Sequence, residues 1–139
     1  MMSNIPATPP GLVLCIDDDA FILELVRHIC RERGLQIVCG STAPEALSAL
    51  EDHRPDLVLL DIDLPGMPGA MGEDGSLPGF RLCETLRQEL SPNAPAIIFF
   101  SGHHTEQIVK KAMAAGGTDF IAKPAAAKTI QDRIDKWLQ

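Results

Sequence analysis

Four of the five short apolar runs in this chain stop at a residue that can do chemistry. "LVLCI" (12–16) runs into Asp17, Asp18 and Asp19, and "DLVLL" (56–60) runs into Asp61 with Asp63 two further on. "AIIFF" (96–100) ends at Ser101, and "DFIA" (119–122) ends at Lys123 followed by Pro124. The remaining run, "LQIVC" (35–39), ends at Gly40. Carboxylates held close together repel, and at least one is pushed to protonate unless a cation joins them. Hard oxygen donors suit Mg²⁺, which takes one or two carboxylates and fills its octahedron with water and phosphate oxygens. A carboxylate nucleophile, a divalent cation, an ammonium group and a hydroxyl donor are the parts that phosphoryl transfer requires, because that chemistry rests on positioning and charge neutralisation.

These residues meet only if the elements carrying them are parallel. Nearly continuous apolar runs of this length suit strands buried on both faces, as in a parallel sheet covered by helices. The intervening segments read as helices. Ile22, Leu25, Val26 and Ile29 keep helical spacing up to Gly34, a helix stop. Thr42 and Glu45 form a capping box ahead of Ala46, Leu47 and Leu50. Leu82, Cys83, Leu86 and Leu90 define a third helix. Ile108, Val109, Ala112 and Met113 define a fourth, ending at Gly116-Gly117, and Ala127, Ile130, Ile134, Trp137 and Leu138 the last. Strand and helix alternate throughout, which specifies a doubly wound α/β domain. Ligands of such sheets bind outside the carboxyl ends of the strands, where the chemically capable residues lie.

The bulk properties agree. A chain of 139 residues, 45% hydrophobic and 22% charged, is one globular domain. A net charge of −7 argues against direct nucleic-acid binding, which wants a basic face. No apolar run reaches membrane-spanning length, and "MMSNIPATPPG" lacks the regions of a secretory signal. Cys15, Cys30, Cys39 and Cys83 contain no Cys-x-x-Cys and read as buried free thiols, so the protein is placed in the cytoplasm. Residues 1–10 are a flexible tail and 11–139 the domain. From Pro65 to Gly79, eight of fifteen residues are glycine or proline, a long loop directly after the aspartates.

The ordered set "IDDD" (16–19), "LLDIDLPGMPG" (59–69), "FFSG" (99–102) and "AGGTDFIAKP" (115–124) resembles the receiver domain of two-component response regulators over residues 11–138. The resemblance implies a flavodoxin-like (βα)5 three-layer sandwich with a parallel sheet of strand order 2-1-3-4-5. It implies a phosphorylation-dependent signalling switch rather than an enzyme acting on other substrates. Asp61 becomes the phosphoacceptor, fed by a phosphohistidine on a histidine kinase or phosphotransfer protein. Asp17, Asp18, Asp61 and the backbone carbonyl of Asp63 become the Mg²⁺ ligands. Lys123 becomes the partner of the phosphoryl group, with a cis bond to Pro124. Ser101 and Phe120 become a switch pair acting on the surface of the fourth helix, fifth strand and fifth helix, where a downstream target, an output domain or a second copy docks. Asp63 and His103 occupy two variable positions that tune phosphoryl lifetime. The pattern departs from the family in a Gly/Pro-rich insertion at about 70–79, between the "PG" at 68–69 and the "PG" at 78–79.

Plainer readings stand beside these. Asp17, Asp18 and Asp19 can cap the first helix, Asp19 above all. Ser101 and Lys123 can be loop and surface residues, Phe120 and Trp137 core packing, and His103-His104 solvent-exposed. Two other functions compete: a receiver fold whose interactions ignore phosphorylation, and a haloacid-dehalogenase-type phosphatase, whose D-x-D strand "LLDIDL" would match. That superfamily carries D-x-D on its first strand, whereas here an acidic cluster precedes Asp61. The sixteen residues after Lys123 are also too few for another strand and its acids.

Overall fold

The computed structural model describes residues 11–64 and 77–138. Five strands, β1 (Leu12–Ile16), β2 (Gln36–Gly40), β3 (Leu57–Asp61), β4 (Ala96–Ser101) and β5 (Asp119–Ala122), form one sheet of order β2-β1-β3-β4-β5, and every pairing is parallel. They alternate with α1 (Ala20–Glu32), α2 (Ala43–Asp52), α3 (Pro78–Glu89), α4 (Glu106–Ala114) and α5 (Ala127–Trp137). This is the expected doubly wound three-layer fold. β2, β3 and β4 each run one residue further than their apolar letters, so Asp61 and Ser101 are the last strand residues and not the first loop residues.

Alternation along the strands sorts the core into two layers. Leu14, Ile16, Val58, Leu60, Ile97 and Phe99 point to one face, where α2, α3 and α4 cover them. Val13, Cys15, Leu57, Leu59, Ile98 and Phe100 point to the other, under α1 and α5. The chain reverses its winding direction between β1 and β3, so the carboxyl ends of these two strands flank the crevice where ligands of such sheets sit. No helix among the described residues is long and apolar enough to cross a membrane.

The helix ends follow local chemistry. Gly34, at φ +69°, ends α1, with its N–H on the Arg31 carbonyl and the Leu35 N–H on that of Cys30, the two bonds of a Schellman motif. Thr42 Oγ1 caps α2 by accepting the Glu45 N–H at 3.2 Å. The expected reciprocal bond is displaced by one residue: the Glu45 carboxylate takes the N–H and hydroxyl of Ser41 instead. Met113 is 37% exposed, so the buried stripe of α4 is Ile108 and Ala112 without it. Trp137 packs the last helix as its position suggests, and its indole N–H donates to Asp119.

Residues 1–10 and most of the insertion, 65–76, lie outside the described residues. The part of 70–79 that is described corrects the loop reading. Pro78 and Gly79 are the first residues of α3, where proline is tolerated because its missing N–H has no helical partner. Gly79 is there for space: a Cβ would lie 2.5 Å from Ile62 Cα and 2.6 Å from the Asp61 carbonyl oxygen. Its N–H donates to the Ile62 carbonyl at 2.7 Å, locking the helix start onto the end of β3.

Arg87, in the last turn of α3, clasps the opposite end of the sheet. Its guanidinium donates to the carbonyls of Gly116 and Pro95 and to Thr118 Oγ1, at 2.7, 2.8 and 2.9 Å. Thr118 Oγ1 in turn accepts the Ile97 N–H. Arg87→Met keeps the stem but strips these part-buried acceptors of their donor, and it is expected to cost about 2–4 kcal/mol. A lower urea midpoint at unchanged denaturant slope checks this.

Candidate functional site

The parallel sheet brings Asp17, Asp61, Ser101 and Lys123 to one edge. Asp17 follows the buried end of β1 and Asp61 is the last residue of β3; they are only 1% and 6% exposed, so both carboxylates are held largely out of water. The Asp17 N–H donates to the Gly40 carbonyl, which ties the exit of β1 to the end of β2. One Asp17 oxygen accepts the Asp19 N–H at 2.9 Å, and the other accepts Lys123 Nζ at 2.7 Å. Lys123 Nζ stands 3.8 Å from Asp61 Oδ2, a charge contact rather than a hydrogen bond. The ammonium also lies 5.1 Å from the centre of the Phe100 ring.

The other Asp61 oxygen accepts the Asp63 N–H at 3.3 Å. In parallel fashion, buried Ser101 Oγ accepts the His103 N–H at 2.9 Å. The side chains of Asp63 and His103 then meet, Nε2 to Oδ2 at 2.6 Å. The two residues that follow the Asp61 carboxylate and the Ser101 hydroxyl at the same spacing thus clasp each other. Asp18 is exposed, and Asp19 is the helix cap, accepting the Phe21 N–H. Phe120 lies beside Phe99 in the β4–β5 register and packs, partly buried, on the α3–α4 layer. The Lys123–Pro124 bond is cis, as the resemblance implied.

Charge is the dominant feature. Carboxylate oxygens of Asp17, Asp18 and Asp61 lie within 4.8 Å of one another, with one ammonium among them. Burial raises the Asp17 pKa despite the hydrogen bonds from Lys123 and Asp19. Burial, reinforced by the Asp17 charge, pushes Asp61 up to about 7, while Lys123 and the Asp63 N–H pull the other way. Burial disfavours the charge on Lys123, but its hydrogen bond to Asp17 and the Asp61 charge outweigh this and raise its pKa. Three hard carboxylates with surplus negative charge, one of them open to solvent, fit a small divalent cation such as Mg²⁺.

Ile22 and Leu25, which keep the helical spacing of α1, are half-buried, unlike Val26 and Ile29. Phe21 is 73% exposed, and with Ile22, Leu25, Pro124 and Ala125 it lines an apolar groove of about 310 Å³ reaching Lys123. Helical spacing marks an apolar stripe but cannot show that it runs past the edge of the sheet. His28 and His53 take no part in the site; His53 Nδ1 lies 3.0 Å from the Ala49 carbonyl at the end of α2.

Residues 13–135 match the family model described as the response regulator receiver domain. The chain belongs to that family. It is 30% identical over 122 residues to the DNA-binding response regulator MtrA of Mycobacterium tuberculosis, covering 88% of this chain and 48% of the relative. It is 35% identical over 113 residues to the transcriptional regulatory protein KdpE of the same species, covering 81% of this chain and 44% of the relative. The chain thus spans about half the length of these curated relatives. Among solved structures, a CheY-like receiver domain protein from Methanospirillum hungatei superposes with a TM-score of 0.77 at 26% identity, covering 92% of this chain and 93% of the other. The family and the chain order, with an acidic cluster directly after β1 and ahead of Asp61 on β3, replace the phosphatase alternative.

A buried carboxylate whose pKa is raised makes stability fall as pH rises. Between the unfolded value near 3.8 and the folded value near 7, the folded state keeps the Asp61 proton that the unfolded state releases. In chelator-containing buffer, Asp61→Asn is therefore expected to gain stability relative to wild type from pH 4 to pH 8, on the order of 2–4 kcal/mol. Urea midpoints across that range test this; a difference independent of pH would contradict it.

Proposed function

We propose that this receiver domain takes a phosphoryl group from a phosphohistidine onto Asp61 and uses the acyl phosphate to change partner binding. The observation that carries this reading is the gathering of Asp17, Asp18, Asp61 and Lys123 at the carboxyl edge of the sheet. The donor is a histidine kinase or a histidine phosphotransfer protein.

In its ionised form, Asp61 attacks phosphorus in line. The new O–P bond forms as the P–N bond to the donor imidazole breaks, and that imidazole nitrogen leaves with the electron pair. The Asp17, Asp18 and Asp61 carboxylates and the Asp63 backbone carbonyl would hold Mg²⁺, which would supply charge neutralisation to the phosphoryl group and favour ionised Asp61. Lys123 is 3.8 Å from Asp61 and moves from Asp17 onto a phosphoryl oxygen. Ser101 Oγ accepts from His103, which leaves its own O–H to donate to another phosphoryl oxygen. Its shift is coupled to Phe120 on the neighbouring strand, biasing the surface of α4, β5 and α5 by as much as the contacts differ between the two states.

Acetyl phosphate, with and without Mg²⁺, tests the acceptor. Intact mass should rise by one phosphoryl group only with the metal, and Asp61→Asn should abolish the gain. Labelling that survives the substitution would move the site elsewhere; no labelling of wild type would favour an interaction module that ignores phosphorylation.

Asp63 and His103 pair at 2.6 Å, each two residues beyond a group of the site, and in this reading their closed pair obstructs water at Asp61. The Asp63→Ala/His103→Ala double variant is therefore expected to lose its phosphoryl group several-fold faster, followed by phosphate-affinity gel. An unchanged decay removes the pair from the control of lifetime.

A further inference from the structure

Three of the four cysteines gather on one side of the sheet. Cys15 on β1 and Cys39 on β2 are direct register partners, so their side chains leave neighbouring strands toward the same face. Cys30 of α1 covers them, while Cys83 belongs to the opposite layer. Neighbouring strands run about 4.8 Å apart, within the roughly 4.4–6.8 Å between Cα atoms that a disulfide spans. The register therefore sets the two backbones within the Cα range of a disulfide, and the Cβ atoms, about 4.5–5.5 Å apart in paired strand residues, have to draw together by up to about 1 Å to close it.

The two thiols differ in access. Cys15 is 1% exposed, whereas Cys39 lies half-buried on β2, the edge strand of the sheet. Burial raises the pKa of the Cys39 thiol, and the Arg27 charge from α1 pulls the other way. Cys39 is thus the thiol that a peroxide reaches first, and buried Cys15 the one that resolves it.

We propose that Cys39 and Cys15 are a redox pair that closes to an intramolecular disulfide when the protein meets a peroxide. The Cys39 sulfur attacks the peroxide oxygen, breaking the O–O bond and giving a sulfenic acid and one water. The Cys15 sulfur then attacks Cys39 Sγ and expels a second water. Two thiols lose two electrons and two protons, and hydrogen peroxide is reduced to two waters. A dithiol reverses the bond by exchange.

The pair is placed to act on the acceptor site. Asp17 follows Cys15 by two residues, and its N–H is held by the carbonyl of Gly40, the residue after Cys39. Drawing positions 15 and 39 together moves both attachments of the Asp17 backbone, the chain from Cys15 and the Gly40 carbonyl, and its carboxylate with them.

The full chain treated with hydrogen peroxide and then capped with N-ethylmaleimide tests the pair. Intact mass is expected to fall by two hydrogens in the uncapped protein, to recover with dithiothreitol, and to map to a Cys15–Cys39 crosslinked peptide. Cys30→Ala and Cys83→Ala should keep the crosslink, and Cys15→Ala should lose it. Cys39→Ser, at the half-exposed position, should lose it too, with its fold checked by circular dichroism. No mass loss, a crosslink to Cys30, or a bond between two chains would overturn the pairing. The coupling to Asp17 rests on the phosphoacceptor reading: the oxidised protein should take up phosphoryl from acetyl phosphate about tenfold more slowly, since small misplacements of catalytic groups cost that much or more. An unchanged rate would overturn the coupling, while the mapping decides the pairing independently of Asp61.

Discussion

Most of what is particular to this domain follows from burying two carboxylates side by side with a single ammonium between them. Asp17 and Asp61 are largely withdrawn from water, where a charge is costly unless paired, and Asp18 adds a third negative group at the rim. Lys123 hydrogen-bonds to Asp17 and merely approaches Asp61. The arrangement is left unfinished on the Asp61 side, the side on which a phosphoryl group and a cation would bring balancing charge. A fully paired site would be more stable and less reactive. The surplus is thus held in electrostatics rather than in backbone angles; no described residue other than glycine has a positive φ.

The frame has to hold that surplus in place, and it does so by backbone contacts close to each carboxylate. The Gly40 carbonyl holds the Asp17 N–H, and the Asp63 N–H holds an Asp61 oxygen. Gly79 lets α3 start directly against the Asp61–Ile62 backbone, where any side chain would collide. Phe80, the next residue, meets Phe99 edge-on with ring centres 5.7 Å apart. Phe99 in turn fills the space that a Cβ on Gly117 would need. A contiguous packed path therefore joins the end of β3 to the turn between α4 and β5, beside Phe120.

Side chains that read as ordinary by type acquire roles through their neighbours. Asp63 and His103 sit on separate loops, yet each offers its N–H to a group at the site two residues upstream, and their side chains close on each other. Asp119 is a strand residue by spacing, but it collects Arg133 and the Trp137 indole and so fastens α5 to β5.

Much of this was legible in the letters. Five apolar runs and the helical spacing between them specify a parallel α/β sheet, because only strands buried on both faces read that way, and parallel strands must present their carboxyl ends together. Asp17, Asp61, Ser101 and Lys123 were therefore identifiable from position alone. What the letters could not show is pairing across the fold: that Lys123 favours Asp17 over Asp61, that the Glu45 carboxylate turns to Ser41, that "PG" at 78–79 opens a helix, and that Cys15 faces Cys39. A one-dimensional pattern fixes which face a residue occupies. Distances between residues far apart in the chain are set by register and packing, and hydrogen bonds and charge interactions depend on those distances within fractions of an ångström.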